Sequence, residues 1–421
     1  MKRILLASTA MVAFAGAANA ESHLGISWAG DAELGWNDDF DDGIFWSLGL
    51  TLTGTMELDN GLTASISGDV ELINSAEVDD NGTPGDTTDD FIVGNGSSAF
   101  DGNEVEIDDL VIGLSSDMAS LRFGDTAPAA DALWSSPVTN LDADDFNDED
   151  DLENEDAVLI GRMSIGESEF AVSYGVVDTN GEDDSAINDG SDDDLVGLQV
   201  GVTTTIGGAD IFFAYQEEVE DLPSSFGDVD LTDTPEIIAF GVQYNTGPLE
   251  LGFAIAQASA EEDTTGIDAD LLSVGIQGAY TVGDITVGAF YVSQDLDDPT
   301  ATTDFDDNYG IFASYGSGPV TVDFLYHGGQ DEDLQLNGTY DVGNGLELFA
   351  GYRDEMENGA GVDQAEIYYV GGDYDLGGGA TLRLSYADVD EGPGGVSSTL
   401  DELGPGEDIK EGGTIVVSFS F

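Results

Sequence analysis

Apolar and polar residues alternate one by one along most of this chain. From Leu48 every second position is apolar or small (Leu48, Leu50, Leu52, Gly54, Met56, Leu58). The chain then passes Asp59-Asn60-Gly61, and the rhythm resumes in Leu62, Ala64, Ile66, Gly68, Val70 and Leu72. A β-strand sends successive side chains to opposite faces, so both arms predict strands with one apolar and one polar face. The Asp-Asn-Gly between them predicts a tight turn. The unit recurs. Val196 to Ile206 leads through Gly207-Gly208 to Ile211, Phe213 and Tyr215, and Leu272 to Val282 through Gly283-Asp284 to Ile285, Val287 and Tyr291. Further copies turn at Gly318-Pro319, Gly343-Asn344-Gly345 and Gly377-Gly378-Gly379, and weaker ones near Ser116-Asp117, Gly166-Glu167 and Gly247-Pro248. These hairpins, with an opening strand from Leu24 to Trp36 and a closing strand from Ile409 to Phe421, predict roughly twenty strands. Because a weak hairpin can belong to a loop, the expected range is about 16–20, with even parity the firmer expectation.

The connections between hairpins differ in kind. They run roughly through 75–104, 125–156, 179–193, 220–234, 260–268, 295–306, 356–363 and 390–408, and most are long and acidic, as in the run from Asp142 to Asp151. Tight turns at one end and long loops at the other predict an all-β chain folded as a transmembrane antiparallel β-barrel, with short periplasmic turns and long acidic extracellular loops. A soluble β-sandwich would also alternate, but its apolar faces would meet in one core. A single closed sheet with lipid outside and water inside satisfies every backbone group and leaves no edge.

The N-terminus changes which residues enter this reading. Met1-Lys2-Arg3 is positive, Ile4 to Ala18 is apolar or small, and Ala18-Asn19-Ala20 has the A-x-A form. That order reads as a secretory signal peptide cleaved after Ala20, leaving 21–421 as the barrel. Its loss takes two of seven basic side chains and none of the 88 acids, so the formal charge moves from −81 to −83. The remaining bases are Arg122, Arg162, Arg353, Arg383 and Lys410. Such a field repels nucleic acid and attracts small cations. The chain contains no cysteine, which removes disulfide and thiolate chemistry. Acidity of this degree can accompany disorder, but 41% hydrophobic and 9% aromatic residues exceed what a disordered chain carries.

The chain closes on Ile415, Val417, Phe419 and Phe421 at alternate positions, and this end resembles the terminal strand of bacterial outer-membrane proteins. Two other stretches, Ser47-Leu48-Gly49-Leu50 with Glu57 to Ala64, and Val111 to Asp125, resemble the general diffusion porins of alphaproteobacteria. The resemblance implies an outer-membrane channel in contact with lipid, a homotrimer, and assembly machinery that reads Phe419 and Phe421. It also implies a loop, here 125–156, folded into the lumen. Relatives are commonly shorter, with about sixteen strands, so strand number and loop shape are where this chain departs.

Parity places the arginines. Arg122 lies between Leu121 and Phe123, Arg162 between Gly161 and Met163, Arg353 follows Tyr352, and Arg383 lies between Leu382 and Leu384. With those neighbours facing lipid, each arginine points into the lumen, and a lipid-facing arginine near the midplane would cost about 2–4 kcal/mol. The resemblance then implies a basic wall of Arg122, Arg162, Arg353 and Arg383 opposite the acidic loop residues Asp125, Asp131, Asp142, Asp144, Asp145, Asp148 and Glu149. Opposed charges across a narrow slot orient dipolar solutes. The plainer alternative is that each arginine pairs with a neighbouring lumen acid.

Carboxylate clusters such as Asp79-Asp80 and Asp192-Asp193-Asp194 offer hard oxygen ligands for Ca²⁺ or Mg²⁺, but neither follows an EF-hand, and no cofactor is required. Aromatics such as Trp36, Tyr244, Tyr315 and Tyr386 near strand ends predict interfacial girdles, and Trp134 is expected to anchor its loop to the wall. His23 and His327 stand without catalytic partners in the pattern, which argues against an enzymatic barrel. The expected function is passive diffusion of small hydrophilic solutes and ions, preferring cations. The alternatives are a substrate-specific channel and a non-channel acidic secreted β-protein that binds divalent cations.

Overall fold

The structure is a computed structural model that describes residues 24–38, 44–58, 60–74, 77–79, 91–93, 104–146, 157–176, 195–218, 235–262, 267–297, 306–329, 332–357, 365–390 and 409–421. The expected signal peptide (1–20), His23, Asp80, Asp148, Glu149, Asp192, Asp193 and Asp194 lie outside the described residues.

The strands in chain order are β1 (Leu24–Asn37), β2 (Ile44–Glu57), β3 (Thr63–Asn74), β4 (Glu77–Asp79), β5 (Phe91–Val93), β6 (Glu104–Ser115), β7 (Ala119–Gly124), β8 (Ala157–Ile165), β9 (Ser168–Val176), β10 (Leu195–Ile206) and β11 (Ala209–Gln216). They continue as β12 (Glu236–Thr246), β13 (Leu249–Glu262), β14 (Ile267–Val282), β15 (Ile285–Asp297), β16 (Asn308–Ser317), β17 (Val320–Gly328), β18 (Glu332–Gly343), β19 (Leu346–Glu357), β20 (Glu366–Gly377), β21 (Ala380–Asp390) and β22 (Gly412–Ser420). A short helix, α1 (Ala129–Leu133), lies between β7 and β8.

All strands except β4 and β5, which pair with each other, belong to one antiparallel sheet of 20 strands. Each pairs with its neighbours along the chain, and β1 pairs with both β2 and β22. The sheet is therefore a closed barrel with no free edge, which is the condition for crossing a bilayer with strands. The expected count of roughly twenty, and its even parity, hold.

Every hairpin turn read from the alternation is present, and the turn chemistry explains why. Gly207 and Gly208 have φ of +64° and +84°. One of the two-residue turns that match strand twist needs positive φ at both central positions, and glycine supplies it without a Cβ clash. At the other end two connections are shorter than the loops read from sequence: β1 joins β2 across 38–43, and β17 joins β18 across 329–331. The closing strand is also shorter than expected, starting at Gly412 rather than Ile409.

The two faces of the wall differ as the alternation requires. Ile112, Phe123, Phe170, Phe240, Ile276, Val287, Val370 and Leu384 are exposed large hydrophobics, while their strand neighbours on the opposite face are small, polar or buried. Tyr244, Tyr280, Tyr315, Tyr340 and Tyr374 are all exposed on the apolar face, each three residues before a turn glycine. This forms a collar at the turn end. At the loop end Tyr291 faces Tyr309 and Tyr352 faces Tyr368 across strand pairs. An apolar band between two aromatic collars is the outer surface of a membrane barrel. The only buried clusters among the described residues lie on the other face, where chain segments cover the wall from inside.

Candidate functional site

The segment after β7 is the largest feature on the lumen face. Its path follows from what the wall beneath it lacks. Gly201, Gly241, Gly252 and Gly275 face it, and a Cβ at Gly201 would overlap the carbonyl oxygen of Ala129, and one at Gly252 that of Pro137. Ala214, Ala239, Ala254 and Ala256 continue the bed of small residues, packed with Val138, Leu141, Ala143 and Phe146 of the segment.

Polar wall residues then fix it strand by strand. The Ala129 N–H donates to Ser173 Oγ on β9 at 2.8 Å, and the Ala130 N–H to Gln199 Oε1 on β10 at 3.0 Å. The Trp134 ring stands edge-on to Phe212 of β11, and Pro137 lies over Gly241 of β12 and Gly252 of β13. Gln277 on β14 accepts from both the backbone N–H and the hydroxyl of Thr139, at 3.1 and 2.9 Å. Asp142 accepts from Gln294 Nε2 on β15 and from Asn308 Nδ2 on β16, the latter at 2.9 Å. Asn140, in a left-handed conformation with φ of +57°, meets His327 Nε2 on β17 at 2.9 Å. The segment therefore lines the wall from β9 to β17 without a gap, on the face opposite the apolar band.

The acids expected to face the lumen fall into distinct roles. Asp142 is a wall anchor through Gln294 and Asn308. Asp144 accepts from Trp134 Nε1 at 2.7 Å, and burial pushes its carboxyl above the usual aspartate range against the opposing effect of that hydrogen bond. Asp125 and Asp145 are exposed, and Asp131 sits in the first turn of α1. A recess lined by Trp134, Asn140, Asp142, Asp144 and Asp145 opens beside them. Asp79 is in β4, outside the barrel sheet, and the described residues contain no group of three or more His, Cys, Asp or Glu able to hold a metal ion.

The arginines occupy two places. Arg122 on β7 and Arg162 on β8 are diagonal neighbours on the lumen face, each beside the residue directly opposite the other. Arg162 Nη1 lies 4.0 Å from Glu169, while Arg122 is exposed and forms no ion pair among the described residues. Arg353 and Arg383 are apart from this pair and from each other. Arg353 on β19 contacts Asp333 at 3.4 Å and Glu355 at 3.0 Å. Arg383 on β21 holds Asp373 through Nε and Nη2 at 2.9 and 2.8 Å, with its guanidinium 5.5 Å from the Phe349 ring centroid. Arg383 is level with Asp373 and Glu347, six residues from Arg353 along β19, or about 20 Å along the wall. All four share the lumen face, as parity requires, but they do not converge on one spot.

Several lining residues carried no sequence signal. Gln199, Gln277, Gln294, Asn308 and His327 read as ordinary polar positions on a strand. The one usable hint was small residues recurring on the lumen face of consecutive strands, since a wall facing open water has no reason to avoid side chains. At the chain end Phe419 and Phe421 are exposed on the apolar face, and Phe421 exchanges two backbone hydrogen bonds with Gly30 while its ring packs edge-on against Trp28 at 5.7 Å.

The model of a family described as Gram-negative porin matches residues 7–315. No curated protein matches the chain. Among solved structures, it is similar to OmpT of Vibrio cholerae, an outer membrane protein in trimer form, at 14% identity over 95% of this chain and 100% of that one, TM-score 0.39. A porin refined at 1.8 Å resolution gives 16% identity over 94% and 100%, TM-score 0.41. A mutant of the Rhodopseudomonas blastica porin gives 12% over 94% and 100%, TM-score 0.36. The match to the family model spans well over half of the chain and coincides with a closed barrel whose outer band is apolar and whose lumen is polar, so the chain belongs to the Gram-negative porin family and forms an outer-membrane channel.

Proposed function

We propose that the channel is water-filled and passes small hydrophilic solutes and ions by passive diffusion, with a preference for cations, as a homotrimer in the outer membrane. The observation that carries this reading is how charge is divided around the lumen. The acidic segment covers β9 to β17, while all four arginines lie on strands outside that arc: Arg122 and Arg162 on β7 and β8, Arg353 and Arg383 on β19 and β21. A solute on the axis meets the carboxylates of the segment on one side and, on the other, exposed Arg122 together with three arginines that each sit beside a lumen acid. That transverse field orders water and orients dipolar molecules. The net charge favours cations. Outside the arginines the lumen face carries Glu33, Asp210, Glu250, Asp323 and Glu347, and the chain as a whole has 88 acids against seven bases.

The test is a planar bilayer recording of the refolded protein under a potassium chloride gradient at low salt, with a size series of neutral sugars. The expected reversal potential lies on the cation side, and permeation falls smoothly with sugar size. A reversal potential on the anion side would overturn the preference. Saturable block by one sugar class would favour a substrate-specific channel. Native mass spectrometry in detergent reads the assembly, and a monomer would remove the trimer.

A further inference from the structure

The alternation that governs β22 stops at Gly412. Extended backwards from Ile415 and Val417, it would place Ile409 and Glu411 on the outer face. Gly412 has φ of +83°, which an L side chain rarely adopts, and the chain turns inward there. Ile409 is wholly buried with Phe349, Ile367, Tyr369 and Ala387, side chains on the lumen face of β19, β20 and β21. Lys410 then carries its ammonium to 5.5 Å from the ring centroid of Phe45, on the lumen face of β2. The inward turn is tied at the seam where the barrel closes. Asn37 Nδ2 donates to Glu411 O and to Thr414 Oγ1, both at 2.7 Å, and Asp38 accepts from the Gly413 N–H.

We propose that Lys410 is a selectivity-determining residue of the channel: a fixed positive charge at the loop-side mouth, on the arc of wall that the acidic segment leaves bare. Of the five basic residues after residue 20 it is the one outside the strands. Its backbone is anchored by the wholly buried Ile409, and its ammonium lies over the Phe45 ring, which favours a position of the charge on the lumen side of the wall. Cations using the loop-side mouth pass this charge, and it moderates their excess. The inference rests on the channel reading, and the experiment separates the two.

The chain has no cysteine, so Lys410→Cys creates a unique thiol. Reversal potential is recorded for wild type, for Lys410→Cys, and for Lys410→Cys after a sulfonate-bearing or an ammonium-bearing thiol reagent, with labelling confirmed by mass. Loss of the lysine should shift the reversal potential further towards cations, the sulfonate further still, and the ammonium back to wild type. Each comparison before and after labelling uses one folded protein, so a folding defect cannot imitate the result. An open channel whose reversal potential is the same in all four states, or a thiol that neither reagent reaches, overturns the role of Lys410 and leaves the channel standing. A wild-type protein that conducts nothing removes both.

Discussion

Single residues in the lumen segment do two jobs at once. Asp144 holds Trp134, whose ring in turn packs against Phe146 and Phe212, so one carboxylate links the segment to itself and indirectly to the wall. Burial raises its pKa above 3.8. A carboxyl whose folded pKa is raised is more comfortable protonated. Its contribution is therefore most favourable at low pH, and is lost as pH rises through the folded value. Carboxyl chemical-shift titration should place the Asp144 midpoint above the ordinary aspartate range. Asp144→Asn, which keeps an acceptor for the indole, should leave resistance to unfolding at neutral pH unchanged or higher. A midpoint at or below the ordinary aspartate range would contradict the burial argument. His327 shows the other side of residue-scale reading: the sequence offers it no catalytic partner, yet it meets Asn140 and closes the far end of the segment.

At the scale of elements, the inward segment and its bed are matched in shape more than in charge. Gly252 and Gly275 lie directly under Pro137, Val138 and Leu141, and backbone cannot retreat from an added side chain as a flexible terminus can. Gly252→Val should lift the segment at a cost of about 1–3 kcal/mol, the usual range for overpacking. The strand pairing of β12 to β14 does not pass through that side chain, so the barrel should still form. The expected readouts are protease cleavage within 125–146 and a larger single-channel conductance. Unchanged cleavage and conductance would mean that the segment does not rest on this bed. Removing Gln277 tests the same element through polarity: Gln277→Ala deletes the acceptor of two hydrogen bonds from Thr139, each worth about 0.5–1.5 kcal/mol net. The same readouts should move in the same direction by a smaller amount.

For the whole molecule, solvent inverts the ordinary meaning of exposure. Ile276 is 58% exposed. On a water-soluble protein a substitution at such a site would change stability by no more than about 0.5 kcal/mol. On a lipid-facing wall Ile276→Arg should cost about 2–4 kcal/mol, measured by denaturant unfolding from lipid vesicles. A negligible cost would argue that this face does not meet hydrocarbon. The charge asymmetry also belongs to this scale. Screening shortens from about 10 Å at 0.1 M salt to about 3 Å at 1 M, so cation preference should decline steeply across that range if the field, and not a binding site, creates it. A preference unaffected by salt would point to a site with its own affinity.

Alternation and turn chemistry are local, and they determined the strands, the hairpin turns, the even number and which side chains share a face. Glycine pairs such as Gly207-Gly208 carry their conformational message in themselves. The four arginines were placed on the lumen face for the same reason, because their orientation depends only on their immediate neighbours. Between hairpins, the resemblance implied that the segment after β7 folds inward, but its course along the wall was not legible. The course of the lumen segment depends on Thr139 meeting a residue 138 positions away and Asn140 one 187 positions away, and on small residues spread over several strands. The separation of Arg353 from Arg383 along the wall likewise follows from strand register, a property of the assembled sheet. The reach of Ile409 and Lys410 into the lumen turned on a positive φ at Gly412 and on partners in β2 and β19 to β21. Strand periodicity is written into adjacent residues, whereas the lining of the tunnel is settled only when distant strands close the ring and leave room for chain to lie inside it.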